Sequence, residues 1–185
     1  MVSQSHTHAI APALRNECSR DEARGCMARP ALIVMTHARP DMTRRCLEQL
    51  KDMSLRDHFT VYVSQDTDDS QVRAVADAAG FVSEVLVHSH RPPRNSFERG
   101  GLAKISEHFR KALEAVFTNR GHSHAVIVED DLLLSPDFLK LFWSTAWLLE
   151  QDASLWCVSA WNDQVRWSVP QAVWETLRLS VDFVM

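Results

Sequence analysis

The stretch Val126-Ile127-Val128-Glu129-Asp130-Asp131 sets a short apolar strand directly against three consecutive carboxylates. Adjacent anions repel, so a fold that keeps them needs something to offset the charge. A divalent cation carrying a phosphate-bearing ligand does so, and hard carboxylate oxygens suit Mg²⁺ or Mn²⁺. The end of a strand is also where open α/β sheets bind ligands. The competing reading is an acidic loop facing the positive N-terminal end of the next helix.

Working outward, strand and helix patterns alternate. Upstream, Ala31 to Met35 is an apolar run bounded by Pro30 and Thr36, which predicts a buried strand. Pro40 opens a helix with Cys46, Leu47, Leu50 and Met53 as its inward stripe. Phe59 to Val63 reads as a second strand, Asp68 to Ala79 as a helix stopped by Gly80, and Phe81 to Val87 as a third strand. His88 to Gly101 reads as a loop, rich in Pro, Arg and Gly. Leu102, Ile105, Phe109, Leu113 and Val116 recur at helical spacing. Beyond the acidic triplet, Ser135-Pro136-Asp137 predicts another helix start, with Ser135 as N-cap. That helix is apolar nearly all round, which predicts deep burial, and Leu155 to Ala160 reads as a fifth strand. The alternation predicts an α/β domain, a mainly parallel sheet with helices on both faces. Residues 1–29 lack periodicity and read as a loose tail, with residues 30–185 as one domain. The chain ends within an apolar run at Phe183-Val184-Met185, so the domain is expected to be incomplete at its C-terminus.

The 185 residues carry a formal net charge of −4, which leaves no basic surplus for neutralising nucleic-acid phosphates. No apolar run reaches membrane-spanning length and the first thirty residues lack a signal-peptide core, so no membrane contact is expected of this segment. None of the four cysteines (Cys18, Cys26, Cys46, Cys157) forms a C-x-x-C pair, and Cys46 and Cys157 read as small buried hydrophobes. Of the nine histidines, His6/His8, His88/His90 and His122/His124 make H-x-H pairs without a third ligand at metal-binding spacing.

No G-x-G-x-x-G or Walker loop is present. Instead the strand ends carry polar groups: Arg39 after the first, Asp66 after the second, Glu129, Asp130 and Asp131 after the fourth, and Asn162 and Asp163 after the fifth. In a parallel sheet these ends share one edge and form a polar cleft suited to a nucleotide. Arg39 also suits a surface ion pair, and Asp66 a turn or cap. His108 lies one turn from Lys104 and Lys111, a basic face that fits a diphosphate but by pattern alone reads as solvated. Trp143 and Trp147, one turn apart, read as core.

The chain resembles the N-acetylglucosaminyltransferase I family. The likeness rests on Val126 through Leu132, then Pro136-Asp137-Phe138, then the string Ser154-Leu155-Trp156-Cys157-Val158-Ser159-Ala160-Trp161-Asn162-Asp163. Arg44-Arg45-Cys46-Leu47, Val63-Ser64-Gln65-Asp66 and Lys104-Ile105 with His108 and Arg110 are similar in order and spacing, so the match covers roughly residues 31–183. The resemblance implies a GT-A fold (a Rossmann-like nucleotide-sugar domain), UDP-GlcNAc as donor and Mn²⁺ as cofactor. By the same likeness Arg39, Asp66, His108 and Asp130 contact the donor, Asp131 is the direct Mn²⁺ ligand, and Glu129 completes the motif. It implies inverting transfer of GlcNAc in β-1,2 linkage to an α-1,3-linked mannose of a glycoprotein N-glycan, in the Golgi lumen. The expected catalytic base lies beyond residue 185, and neither Asp163 nor Asp182 matches its position. The chain is therefore expected to bind donor without transferring sugar.

Several features depart from the family. The membrane anchor and stem have no counterpart, the loop from His88 to Gly101 matches poorly, and His37 and Thr67 stand where members often carry two cysteines. Cys157 resembles a family cysteine whose expected partner falls outside this chain. Two other readings compete: an O-mannose β-1,2-GlcNAc-transferase, which shares the acidic motif, and a non-catalytic nucleotide-sugar-binding or interaction module.

Overall fold

The computed structural model describes residues 29–88 and 101–160. Four strands and four α-helices alternate: β1 (Ala31–Thr36), α1 (Pro40–Lys51), β2 (Thr60–Gln65), α2 (Ser70–Ala79), β3 (Val82–Val87), α3 (Gly101–Phe117), β4 (Ala125–Glu129) and α4 (Phe138–Gln151). The strands form one parallel sheet in the order β3-β2-β1-β4. The arrangement is Rossmann-like. The chain steps outward from β1 to β2 to β3, then crosses back to lay β4 on the other side of β1. Right-handed crossovers going in opposite directions put their helices on opposite faces.

Side-chain alternation sorts the core accordingly. Leu32, Val34, Val61, Val63, Val126 and Val128 face α1, α2 and the start of α4. Ala31, Ile33, Met35, Tyr62, Leu86, Ala125 and Ile127 face α3. β1 is buried along its whole length because it has a strand on each side and a helical layer on each face. That double coverage explains why its sequence is a continuous apolar run rather than an alternating one.

Local signals place the helix ends. Pro40 occupies the first turn of α1, where a missing N–H costs nothing, and the Arg39 carbonyl accepts from Thr43 N at 3.0 Å. Asp69 caps α2, its Oδ1 accepting from the backbone N–H groups of Gln71 and Val72 at 2.9 Å each. Gly80 closes α2 with φ +74°, the left-handed conformation that glycine adopts without penalty. The predicted boundaries of β1, α1, β2, α2, β3 and β4 hold within two residues.

Five expectations fail. α4 starts at Phe138 rather than on a Ser135 cap: the Ser135 hydroxyl bonds the Asp137 carboxylate and its carbonyl accepts from Phe138 N, so a turn precedes the helix. Only the first part of α4 is deeply buried, through Phe138, Leu139 and Phe142. Trp143 packs edge-on against Phe59 at 5.9 Å, but Trp147 is 44% exposed. On α3, Leu102 and Ile105 face solvent, while Ala112, Ala115 and Val116 are buried. A helix of 17 residues runs about 25 Å, longer than the roughly 20 Å of a six-residue strand, so one end overhangs the sheet. Finally, residues 155–160 form no strand, and Leu155 and Trp156 are exposed. An apolar run becomes a strand only where a neighbour takes up its hydrogen bonds, and among the described residues this segment pairs with none of the four strands. The tail expected over 1–29 lies almost wholly outside the described residues, as do Asn162, Asp163 and Asp182.

Candidate functional site

The strand register brings the polar termini level. Met35 lies opposite Ser64 on one side and Glu129 on the other, and Thr36 lies opposite Gln65. Asp130, the next residue of β4, donates its N–H to the Met35 carbonyl at 3.0 Å. The boundary between β1 and β4 is where the chain reverses its direction of travel across the sheet. In open α/β sheets the crevice at such a switch point is the ligand site.

Arg39 and the acidic triplet meet there. The Arg39 guanidinium donates through Nη2 to Asp130 Oδ1 and through Nη1 to Asp131 Oδ2, the latter at 3.0 Å. One cation thus bridges two carboxylates that repel each other. The neighbours differ in environment. Asp130 is 1% exposed, and its Oδ2 accepts from Thr36 Oγ1 at 2.6 Å and lies 3.2 Å from Thr43 Oγ1. Asp131 has its side chain 41% exposed at the mouth of the crevice. Burial pushes the Asp130 carboxyl above the usual carboxylate range, against the pull of the Thr36 hydroxyl, Arg39 and Thr43, while Asp131 pushes it further up. The same burial drives the nearby Cys46 thiol up to about 12, with Asp130 and Asp131 adding to the effect.

Sequence reading missed Thr36 and Thr43. Their signal was faint: Thr36 closes an apolar strand, and Thr43 continues the inward stripe of Cys46, Leu47 and Leu50. Both are fully buried, and their hydroxyls lie 2.7 Å apart. They join β1, α1 and the β4 end into one hydrogen-bonded cluster, which fixes where Asp130 points.

Asp66 sits one strand over, its Oδ1 2.5 Å from His37 Nδ1. Thr67 Oγ1 lies 3.4 Å from the same nitrogen. His37 and Thr67 are therefore neighbours across the β1 and β2 ends and join them by polar contacts. Gln65, buried beside them, accepts from Asp69 N through Oε1 at 3.2 Å while its Nε2 has no partner among the described residues.

His108 corrects its pattern-based reading. It is 6% exposed rather than solvated, and its Nε2 lies 2.9 Å from Ser64 Oγ. The α3 face that carries it turns toward the sheet at the end of β2. Glu129, the last residue of β4, is half-buried. The triplet therefore divides: Asp131 opens to solvent, Asp130 anchors, and Glu129 belongs to the strand.

Among the described residues, no group of three His, Cys, Asp or Glu side chains is placed to cage a metal ion. A groove of about 640 Å³ between α1 and α2, lined in part by Arg44, Glu48, Lys51, Val75 and Phe81, lies away from these charges. No helix of the described residues is long and apolar enough to cross a membrane.

A parallel sheet with a charged crevice at its switch point defines an α/β domain of the Rossmann-like class. The chain belongs to the GNT-I family, whose model matches residues 2–183. It is similar to the alpha-1,3-mannosyl-glycoprotein 2-beta-N-acetylglucosaminyltransferase of Arabidopsis thaliana, 27% identical over 144 residues. That alignment covers 75% of this chain and 32% of the plant protein, so the chain spans about a third of the length of the relative it matches.

Proposed function

We propose that this chain is the donor-binding half of an inverting N-acetylglucosaminyltransferase, a Golgi enzyme that uses UDP-GlcNAc and Mn²⁺ and acts on mannose-terminated N-glycans. The observation that carries the reading is the Arg39 bridge across Asp130 and Asp131 at the strand-order reversal. The name of the plant relative supports the sugar, linkage and acceptor class.

The donor set fits a hard divalent cation. Asp131 offers an accessible carboxylate, and among the described residues no protein cage competes with phosphate and water for the remaining positions. Mg²⁺-sized ions are commonly held by one or two carboxylates plus substrate phosphates, and Mn²⁺ takes the same oxygen ligands. When bound, the ion would offset the charge that grows on the diphosphate as UDP leaves. The chain's own residues do the rest. Arg39 addresses phosphate oxygens with a planar, bidentate donor. Asp130, held by Thr36, keeps Arg39 aimed at the crevice. Asp66 and His108 line the path of the nucleoside. The acceptor hydroxyl attacks the anomeric carbon from the face opposite UDP, and a carboxylate base takes its proton. None of the described residues is assigned to that base.

Titration calorimetry with UDP, with and without Mn²⁺, tests the reading. Binding that strengthens with Mn²⁺, with the metal-dependent part abolished in Asp131→Ala, is the expected result. A folded chain that takes up neither UDP nor UDP-GlcNAc leaves only an interaction module.

A further inference from the structure

Arg39 commits both prongs of its guanidinium to the aspartates: Nη2 donates to Asp130 Oδ1 and Nη1 to Asp131 Oδ2, the latter at 3.0 Å. The two carboxylates do not depend on it equally. Asp130 also has the Thr36 hydroxyl at 2.6 Å and the Thr43 hydroxyl at 3.2 Å, so it stays hydrogen-bonded without Arg39. Asp131 has no second side-chain partner among the described residues, and its side chain is 41% exposed. Water screens that contact, which makes it the weaker of the two. The guanidinium can therefore leave Asp131 without stranding a buried charge on that residue. A metal ion binds a carboxylate oxygen at roughly 2.1 Å. An ion on Asp131 and the guanidinium on Asp131 are thus two cations crowded onto one small anion, and they repel each other.

We propose that Arg39 is a specificity-determining residue that reserves Asp131 for a cation carried on a diphosphate. Without phosphate, its guanidinium competes with free metal for the carboxylate. With phosphate, it turns to the phosphate oxygens and leaves Asp131 to the metal. The inference rests on the reading of Asp131 as the metal ligand and of Arg39 as a phosphate contact. A diphosphate acts twice here. It gives the planar fork a matching pair of oxygens, and it supplies the metal with further oxygen ligands. Metal and guanidinium each weaken the other's hold on Asp131, and that coupling is reciprocal. One substitution then has effects of opposite sign: loss of the guanidinium tightens metal alone and loosens nucleotide alone.

Diphosphates bind Mn²⁺ by themselves, so the test on the full chain keeps metal and nucleotide apart. Electron paramagnetic resonance of the free aqueous ion measures Mn²⁺ binding without nucleotide. Arg39→Gln is expected to hold Mn²⁺ about fivefold more tightly than the wild type, the scale of one half-exposed ion pair. Adding Asp131→Ala should remove that gain. Calorimetry with UDP in EDTA should show Arg39→Gln binding more weakly than the wild type. Misfolding weakens both ligands, so it cannot produce opposite signs. A second measurement keeps to the wild-type chain: the Arg39 guanidinium ¹H–¹⁵N signals, assigned by their loss in Arg39→Lys, should shift with UDP in EDTA and stay in place with Mg²⁺ at the same concentration. Unchanged or weaker Mn²⁺ binding in a folded Arg39→Gln chain, or guanidinium signals that move as far with Mg²⁺ as with UDP, overturns the inference alone. Tighter Mn²⁺ in Arg39→Gln beside a wild type that takes up no UDP, with or without Mn²⁺, overturns the donor-site reading instead.

Discussion

The two edges of the sheet are built on opposite principles. At the N-terminal edge a group of polar side chains forms a closed circuit. His122 is 8% exposed; its Nδ1 donates to the Arg29 carbonyl at 2.6 Å and its Nε2 accepts from Tyr62 Oη at 2.8 Å. Arg120 lies over the Tyr62 ring at 5.5 Å, and its Nε and Nη2 donate to the two Glu84 carboxylate oxygens at 2.9 and 2.6 Å. Each donor there has its acceptor, and the cation has its anion. At the C-terminal edge, one guanidinium serves two carboxylates, one of them fully buried. The first edge uses polar groups to hold elements together. The second keeps an excess of negative charge at an opening, an arrangement that costs stability unless a ligand completes it.

The contrast breaks most visibly at Arg39. Arg39→Ala removes the counter-charge from both aspartates and the bidentate phosphate contact, and should weaken UDP binding about a hundredfold, about 2.7 kcal/mol, by calorimetry. A tenfold or smaller loss would remove Arg39 from the nucleotide contacts. The matching change at the other edge is His122→Ala. It strands the buried Tyr62 hydroxyl and should lower unfolding stability by about 2 kcal/mol in urea, with UDP affinity unchanged. Equal effects on binding from both variants would dissolve the distinction between the edges.

A smaller effect sharpens the comparison through pH. Burial raises the Asp130 carboxyl in the folded state. A raised folded value means that protonation favours the fold: this contribution is fully present below the unfolded value of about 4 and is lost as pH rises through the raised one. Asp130→Asn cannot ionise, so its stability relative to the parent should climb across that window. Urea melts on either side of it measure the difference, and parallel pH profiles would show that Asp130 is not strained by burial. The smallest expected signal is a chemical one. With its thiol pushed up to about 12 and fully buried, Cys46 should escape iodoacetamide at neutral pH, while the partly exposed Cys157 reacts. Peptide mapping of the native and urea-unfolded chain reads this directly.

The strands and helices up to β4 were legible because each carries a complete local signal. β1 is a doubly covered apolar run, α2 has an Asp cap and a Gly stop, and β4 is a short apolar run that ends in three carboxylates. The failures share one cause. Leu102 and Ile105 keep perfect helical spacing yet lie exposed on an overhanging helix end, and α4 is apolar where the sheet no longer covers it. Spacing states which residues could be buried together, not whether a surface exists to bury them. Residues 155–160 had strand composition, yet they pair with none of the four strands.

The candidate site divides along the same line. Arg39, Asp66, Asp130 and Asp131 could be placed together in advance, because the parallel alternation puts the strand ends on one edge; the pattern left ion-pair, turn and cap uses open, and the family resemblance singled these residues out. That much is one-dimensional information: residue type, position and period. Residue pattern alone could not give Asp130 and Asp131 different tasks, since they are chemically identical neighbours; only the family resemblance told them apart. Nor could it reveal that Thr36 and Thr43 hold one of them, or that His108 turns inward to Ser64. Those facts belong to the packing of α1 and α3 onto opposite faces of the sheet. Burial and hydrogen-bond partners are properties of neighbours distant in the chain, and only the closed fold brings them within 3 Å.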